Sequence, residues 1–176
     1  MEWKTRNLVH VFSALIIIFL VGCNDNQPDL SGDDGAKLVH MDVFKQPSCK
    51  CCGKWVDHVE EAGFQVKTKD RLNLNAIKNE FGIAPRYQSC HTGVAEGYVF
   101  EGHIPAPLIH RFLTEKPADA IGLSVPGMPV GSPGMEMGER YDSYDVLVLK
   151  SDGSSEVYAH VDGPSMAEKA SSTVTE

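Results

Sequence analysis

The chain has 176 residues, 42% hydrophobic, 8% aromatic and 23% charged, a balance that fits an ordinary globular protein of about one domain and excludes a large multidomain enzyme. Sixteen Lys and Arg against twenty-four Asp and Glu give a net charge of −8, the wrong sign for gaining affinity by neutralising phosphates, so nucleic acid is excluded as a partner. Of the five cysteines, Cys49, Cys51 and Cys52 fall within four consecutive positions, and the chemistry is expected there.

In chain order, residues 1–22 come first. Lys4 and Arg6 make a short basic start, and Leu8 to Val21 is an apolar run shorter than the ~20 residues of a typical membrane span. This pattern predicts a secretory signal. Its end, Leu20-Val21-Gly22-Cys23, resembles a bacterial lipobox, which implies cleavage before Cys23, acylation of its thiol, and a lipid anchor at the periplasmic face of an envelope. Asn24 rather than Asp after the cysteine favours the outer membrane by the same resemblance. Residues 23–36 are polar, rich in Asp and Gly, and without apolar periodicity, and are expected to be a lipidated tether.

A folded domain is expected over residues 37–163. Leu38 to Phe44 reads as a buried strand, and Trp55, Val56, Val59 and Ala62 recur at helical spacing over Gly53 to Ala62, with Gly63 as the stop. Phe64 to Lys67 is a second strand. Leu74 to Phe81 is a second helix with Leu74, Ile77 and Phe81 on its packing side. His91 to Ala95 and Tyr98 to Glu101 read as a hairpin around Glu96-Gly97, and Pro107 to Leu113 as a third helix with Pro in its first turn. The resulting order, βαβαββα, describes a thioredoxin-like α/β domain over about Leu38 to Glu115. The Gly/Pro/Met segment Ile121 to Gly138 carries too many breakers for a helix or strand and is expected to be an ordered loop lying against the domain. Tyr144 to Lys150 and Ser155 to His160 form a C-terminal hairpin across Asp152-Gly153, and residues 164–176 are read as a flexible tail.

Cys49 and Cys52 are spaced CxxC between a strand and a helix, where backbone N–H groups and the helix dipole favour thiolate. Adjacent residues at a helix start project about 100° apart, so the third thiol, Cys51, cannot share one disulfide with them. Three thiolates in different directions suit several sulfur-bridged soft ions. The loop entering the third strand faces this helix start and carries Cys90 and His91, although strand alternation argues against both pointing inward. Thiolates with thioethers select Cu(I), and Met128, Met135 and Met137 lie in the Gly/Pro-rich loop, with His103 just before the third helix. The remaining histidines, His58 among them, read as signal or surface residues.

The segments PSCKCCGKWVDHVEEAGF, SCHTGVAEGYVFEGHIPA and GLSVPGMPVGSPGMEMG closely resemble the CopG-like family of periplasmic copper-resistance proteins, from about Val39 to His160. The resemblance implies a thioredoxin-like fold holding a cysteine-bridged, multinuclear copper cluster, and a role in interconverting Cu(I) and Cu(II) during detoxification. Carried over position by position, it implies thiolate ligands at Cys49, Cys51, Cys52 and Cys90, with His91, His103, Met128 and Met135 as completing ligands.

The main expectation is therefore a membrane-tethered copper protein taking up several Cu(I) ions, with other copper-handling envelope proteins as partners. If it turns over, the copper is the redox centre. One rival is a thiol-disulfide oxidoreductase acting through Cys49 and Cys52. The other is a copper store or chaperone without turnover.

Overall fold

The structure, a computed structural model, describes residues 38–163. The predicted signal, Cys23 with its tether, and the C-terminal tail lie outside the described residues. Among the described residues no helix is long and apolar enough to cross a membrane.

Among the described residues seven strands form one mixed sheet: β1 (Val39–Lys45), β2 (Phe64–Asp70), β3 (His91–Ala95), β4 (Tyr98–Glu101), β5 (Ala120–Ser124), β6 (Tyr144–Lys150) and β7 (Ser155–Val161). Their spatial order is β2-β1-β3-β4-β5-β6-β7. β1 and β2 are parallel, as are β4 and β5, and the other neighbours are antiparallel. Each parallel pair is joined through a helix, as a crossover requires: α1 (Lys50–Glu61) links β1 to β2, and α3 (Ala106–Glu115) links β4 to β5. The third helix, α2 (Asn75–Glu80), and a 3-10 turn at Pro85–Tyr87 precede β3. The protein is thus mixed α/β.

Alternation along the strands gives the sheet two apolar faces. On one, Trp55, Val56 and Val59 of α1 and Leu108, Ile109 and Phe112 of α3 pack with Met41, Val43, Phe100, Leu123 and Val146. Full burial of each large side chain contributes ~1.5–3 kcal/mol, so this is the principal core. On the other face, Ile83, Val99 and Leu149 pack with Phe81 and Tyr87. Trp55, fully buried, donates its indole N–H to the Ile104 carbonyl at 2.9 Å and ties α1 to the segment entering α3.

Three expectations are corrected. The segment read as a loop from Ile121 begins in a strand, β5, because Gly122 serves pairing: a Cβ there would lie 1.8 Å from the Val99 carbonyl oxygen, and the register shifts at this residue. The remainder is an ordered loop, folded on bonds such as Met135 N–H to the Ser132 carbonyl at 2.8 Å and Gly131 N–H to the Met135 carbonyl at 2.9 Å. Second, α2 buries Lys78 besides its expected packing side, on which Leu74 is buried and Ile77 and Phe81 are half-buried. Third, β2 runs on to Asp70 because its charged end pairs along the edge, Lys69 with Asp42 at 2.5 Å and Lys45 with Asp70 at 3.0 Å.

Candidate metal centre

The site is assembled from three chain segments on the principal-core face. The first is the start of α1. Cys49 is its N-cap, in extended backbone, and Cys51 and Cys52 occupy the first turn, where amide N–H groups lack intrahelical acceptors and favour negative charge. Cys49 and Cys52 are joined in a disulfide, and Cys51 and Cys90 are free. The Cys51 sulfur lies 3.5 Å from that of Cys49.

The second segment, Ser89-Cys90-His91, enters β3. A buried carboxylate fixes it: Glu101 accepts the Ser89 amide N–H at 2.6 Å and the Thr92 hydroxyl at 2.6 Å, and is ion-paired with Lys78. Burial raises the Glu101 carboxyl above the usual range, against the pull of Lys78. Cys90 precedes the strand at a bend, so strand alternation does not govern it, and the expectation that Cys90 and His91 cannot both face the site is overturned. The Cys90 sulfur lies 3.3 Å from His91 Nδ1 and 3.0 Å from His103 Nε2. Burial, followed by the neighbouring Cys51 thiol, pushes the Cys90 thiol up to about 12.

The third segment is the Gly/Pro/Met loop with His103 beside it. Gly134 rests on the first turns of α1: a Cβ there would lie 2.7 Å from the Cys51 carbonyl oxygen and 2.9 Å from the Trp55 amide nitrogen. That packing brings the Pro133 carbonyl 2.8 Å from His103 Nδ1. A carbonyl only accepts, so Nδ1 carries the proton and the Nε2 lone pair faces Cys90. Metal-ligating histidines are commonly oriented by such an outer hydrogen bond. His91, fully buried, lies tilted at 43° against Trp55 with ring centres 4.3 Å apart and meets His103 edge-on at 5.0 Å. Its Nε2 is buried without a hydrogen-bond partner.

Four sulfurs, of Cys49, Cys51, Cys52 and Cys90, lie within 4.8 Å of one another, as do the donors of Cys90, His91 and His103. These soft sulfur and imidazole donors fit Cu(I) and poorly fit hard, oxygen-seeking cations. Burial lowers His91 well below the ordinary histidine value and lowers His103 as well, holding both rings neutral as ligation demands. The disulfide has to be reduced before Cys49 and Cys52 can serve as thiolates. Met135 is half-buried on the residue after Gly134, whereas Met128 and Met137 are 52% and 54% exposed. Sequence reasoning missed Glu101, Lys78 and the Pro133 carbonyl. The one available signal was a Glu inside the apolar strand Tyr98-Val99-Phe100-Glu101. It also passed over His58, which accepts the Ala106 amide N–H at 3.0 Å and so caps α3.

Residues 87–135, which hold Cys90, His91, His103, Met128 and Met135, match the family model DUF411, described as a protein of unknown function. No curated protein matches. Two solved structures of copper resistance protein CopG are similar. Form 1 is 42% identical, covers 72% of this chain and 99% of its own, with a TM-score of 0.68. Form 2 is 41% identical, covers 71% of this chain and 99% of its own, with a TM-score of 0.67. Such identity over nearly the full length of those structures, together with the cysteine and histidine cluster, means that this chain belongs to the CopG family of copper resistance proteins.

Proposed function

We propose that the protein binds several Cu(I) ions on bridging cysteine sulfurs and serves copper resistance by interconverting Cu(I) and Cu(II). The observation that carries this reading is the position of Cys90, whose sulfur belongs both to the four-sulfur group and to the Cys90–His91–His103 group. A sulfur shared between donor groups can bridge ions held by each. In this reading Cys49, Cys51 and Cys52 supply negative charge, His91 and His103 supply neutral nitrogen, Trp55 shields the inner wall, and Met135 and Met128 complete the set from the loop. Binding copper requires the Cys90 thiol to release its proton, so uptake is accompanied by proton release. The α1 and α3 crossovers on one sheet face and the β3–β4 hairpin between them support a thioredoxin-like core, to which the loop and the β6–β7 hairpin are added. The apolar N-terminal run and the lipobox-like sequence support export, lipidation at Cys23 and a periplasmic location, with the outer membrane preferred.

Metal analysis after anaerobic Cu(I) loading of the reduced protein tests this. More than one tightly held copper per chain is expected, and one or none overturns the cluster. Following the Cu(I)/Cu(II) ratio over the loaded protein then separates turnover from storage.

The Cys49–Cys52 disulfide favours a second reading, thiol-disulfide oxidoreductase activity without metal. Reduction of a test disulfide that survives chelation and Cys51→Ser but not Cys49→Ser would establish it.

A further inference from the structure

Beside the sulfur cluster lies a cavity of about 490 Å³ lined by residues of the β1–α1 turn, of α2 and the segment before it, and of the entry to β3. Its size falls within the ~300–1,000 Å³ of small-molecule sites. We propose that this cavity binds a small peptide-like thiol, which reduces the Cys49–Cys52 disulfide by attack at the Cys49 sulfur. The proposal rests on the copper reading for its purpose, since two of the four sulfurs are unavailable as ligands until the disulfide opens.

Three observations select the chemistry. First, the two sulfurs differ in access: Cys52 is fully buried, whereas Cys49 lines the cavity. Second, the wall is dominated by side-chain amides, those of Gln46, Asn73, Asn75 and Gln88, with no carboxylate among the lining residues. Gln46 and Gln88 each spend one amide proton on a backbone carbonyl, of Leu72 at 3.3 Å and Ile83 at 2.9 Å, which fixes their side chains while leaving an amide oxygen and a second proton. Such groups pair with peptide and carboxylate groups of a ligand and give an apolar thiol little. Third, the wall carries no uncompensated charge: its one cationic residue, Lys78, is paired behind the wall with buried Glu101, so an anionic peptide-like ligand meets no local repulsion there in a chain of net charge −8.

The reaction balances with two thiols. The first, as thiolate, attacks the Cys49 sulfur. A ligand–Cys49 mixed disulfide forms, the Cys49–Cys52 bond breaks, and Cys52 leaves as thiolate. A second thiolate attacks the ligand sulfur, releasing Cys49 as thiolate and the oxidised ligand disulfide. Two electrons pass from two thiols to one disulfide, and the protons lost from the thiols go to solvent or to the new thiolates.

The test uses metal-free, oxidised protein under anaerobic conditions, with glutathione as the peptide-like probe and 2-mercaptoethanol as the comparison, and counts protein thiols with time. Glutathione is expected to saturate the reduction rate and 2-mercaptoethanol to give a linear dependence. Gln46→Glu is expected to lower the glutathione to 2-mercaptoethanol rate ratio at low concentration about tenfold. In Cys51→Ser protein quenched with acid during the reaction, which stops the released Cys52 thiolate from attacking back, mass spectrometry is expected to find glutathione on Cys49 and not on Cys52. A linear glutathione dependence with an unchanged ratio in Gln46→Glu would overturn the proposal, and rapid reduction by a dithiol protein alone would assign the step to a protein reductant instead. Because these assays contain no copper, a negative result here leaves the copper count standing, and a chain that bound no copper would still show saturation.

Discussion

Gly134→Ala tests whether the Gly/Pro/Met loop is a structural part of the metal site. Gly134 has φ +83°, a conformation that costs a residue with a side chain ~1–2 kcal/mol. Its added methyl would also lie 2.7 Å from the Cys51 carbonyl oxygen and 2.9 Å from the Trp55 nitrogen. Both are backbone atoms of α1 and cannot swing aside, so an overpacking cost of ~1–3 kcal/mol is added. The expected loss is about 2–5 kcal/mol, a large share of the ~5–15 kcal/mol of a typical domain. Gly138→Ala is the control: its φ is +62° but nothing lies within 4 Å of its added methyl, so only the conformational cost applies. Urea unfolding of the reduced, metal-free proteins measures both. To relieve the contact, the loop must lift from α1 and carry the Pro133 carbonyl away from His103, and loss of such an outer bond typically lowers metal affinity 10–100-fold. Competition with a chromogenic Cu(I) chelator reads that second effect. Equal destabilisation by the two substitutions, or unchanged copper affinity in Gly134→Ala, would refute the reasoning.

Three other outcomes follow from the same geometry. Burial lowers His58, His91 and His103 in the fold, so the unfolded chain binds more protons below the ordinary value of 6.5. Metal-free stability should therefore hold above that pH and fall as the pH drops below it, by up to ~1.4 kcal/mol per pH unit for each histidine in its window. Glu101, raised by burial, acts in the opposite sense: its contribution is present below the usual carboxylate value and is lost as the pH rises. A flat unfolding midpoint between neutral and mildly acidic pH would contradict the histidine assignment. Glu101→Gln leaves the Lys78 ammonium buried without its charged partner and should cost ~3–5 kcal/mol, while adding Lys78→Met to Glu101→Gln, which keeps an amide oxygen to accept from Ser89 and Thr92, should recover most of that in denaturant titrations. Finally, Cys90→Ser should reduce anaerobic copper loading more than Met128→Leu, because Cys90 belongs to both donor groups and Met128 is 52% exposed.

Local pattern carried far in this sequence, and it failed where a residue's role depended on a distant segment. The β3–β4 hairpin was legible because alternation and the Glu96-Gly97 turn agree, and both strands lie where expected, at His91–Ala95 and Tyr98–Glu101. Helical periodicity shows only from Gly53, because the apolar positions begin at Trp55, yet the position of the cysteines at a helix start is legible and agrees with an α1 that begins at Lys50. β5 was hidden by Gly122, whose missing side chain makes room for Val99, although an isolated glycine among apolar residues is itself a signal of a bulge. The four cysteines were legible as a group from spacing and topology. The approach of Cys90 to both His91 and His103 was not, because it depends on a bend before β3 held by Glu101 and Lys78, 23 residues apart.

The hydrogen bond from His103 to Pro133 also sets an order of events during synthesis. The four sulfurs can come together once Glu101 has joined the fold, since it holds the segment that carries Cys90, but His103 takes its final orientation only when Pro133 has reached it. A chain interrupted after α3 would hold the four thiols without the oriented imidazole. The complete donor set is therefore delayed until the polypeptide has grown past residue 133, which disfavours capture of a metal ion in its final geometry by an unfinished chain.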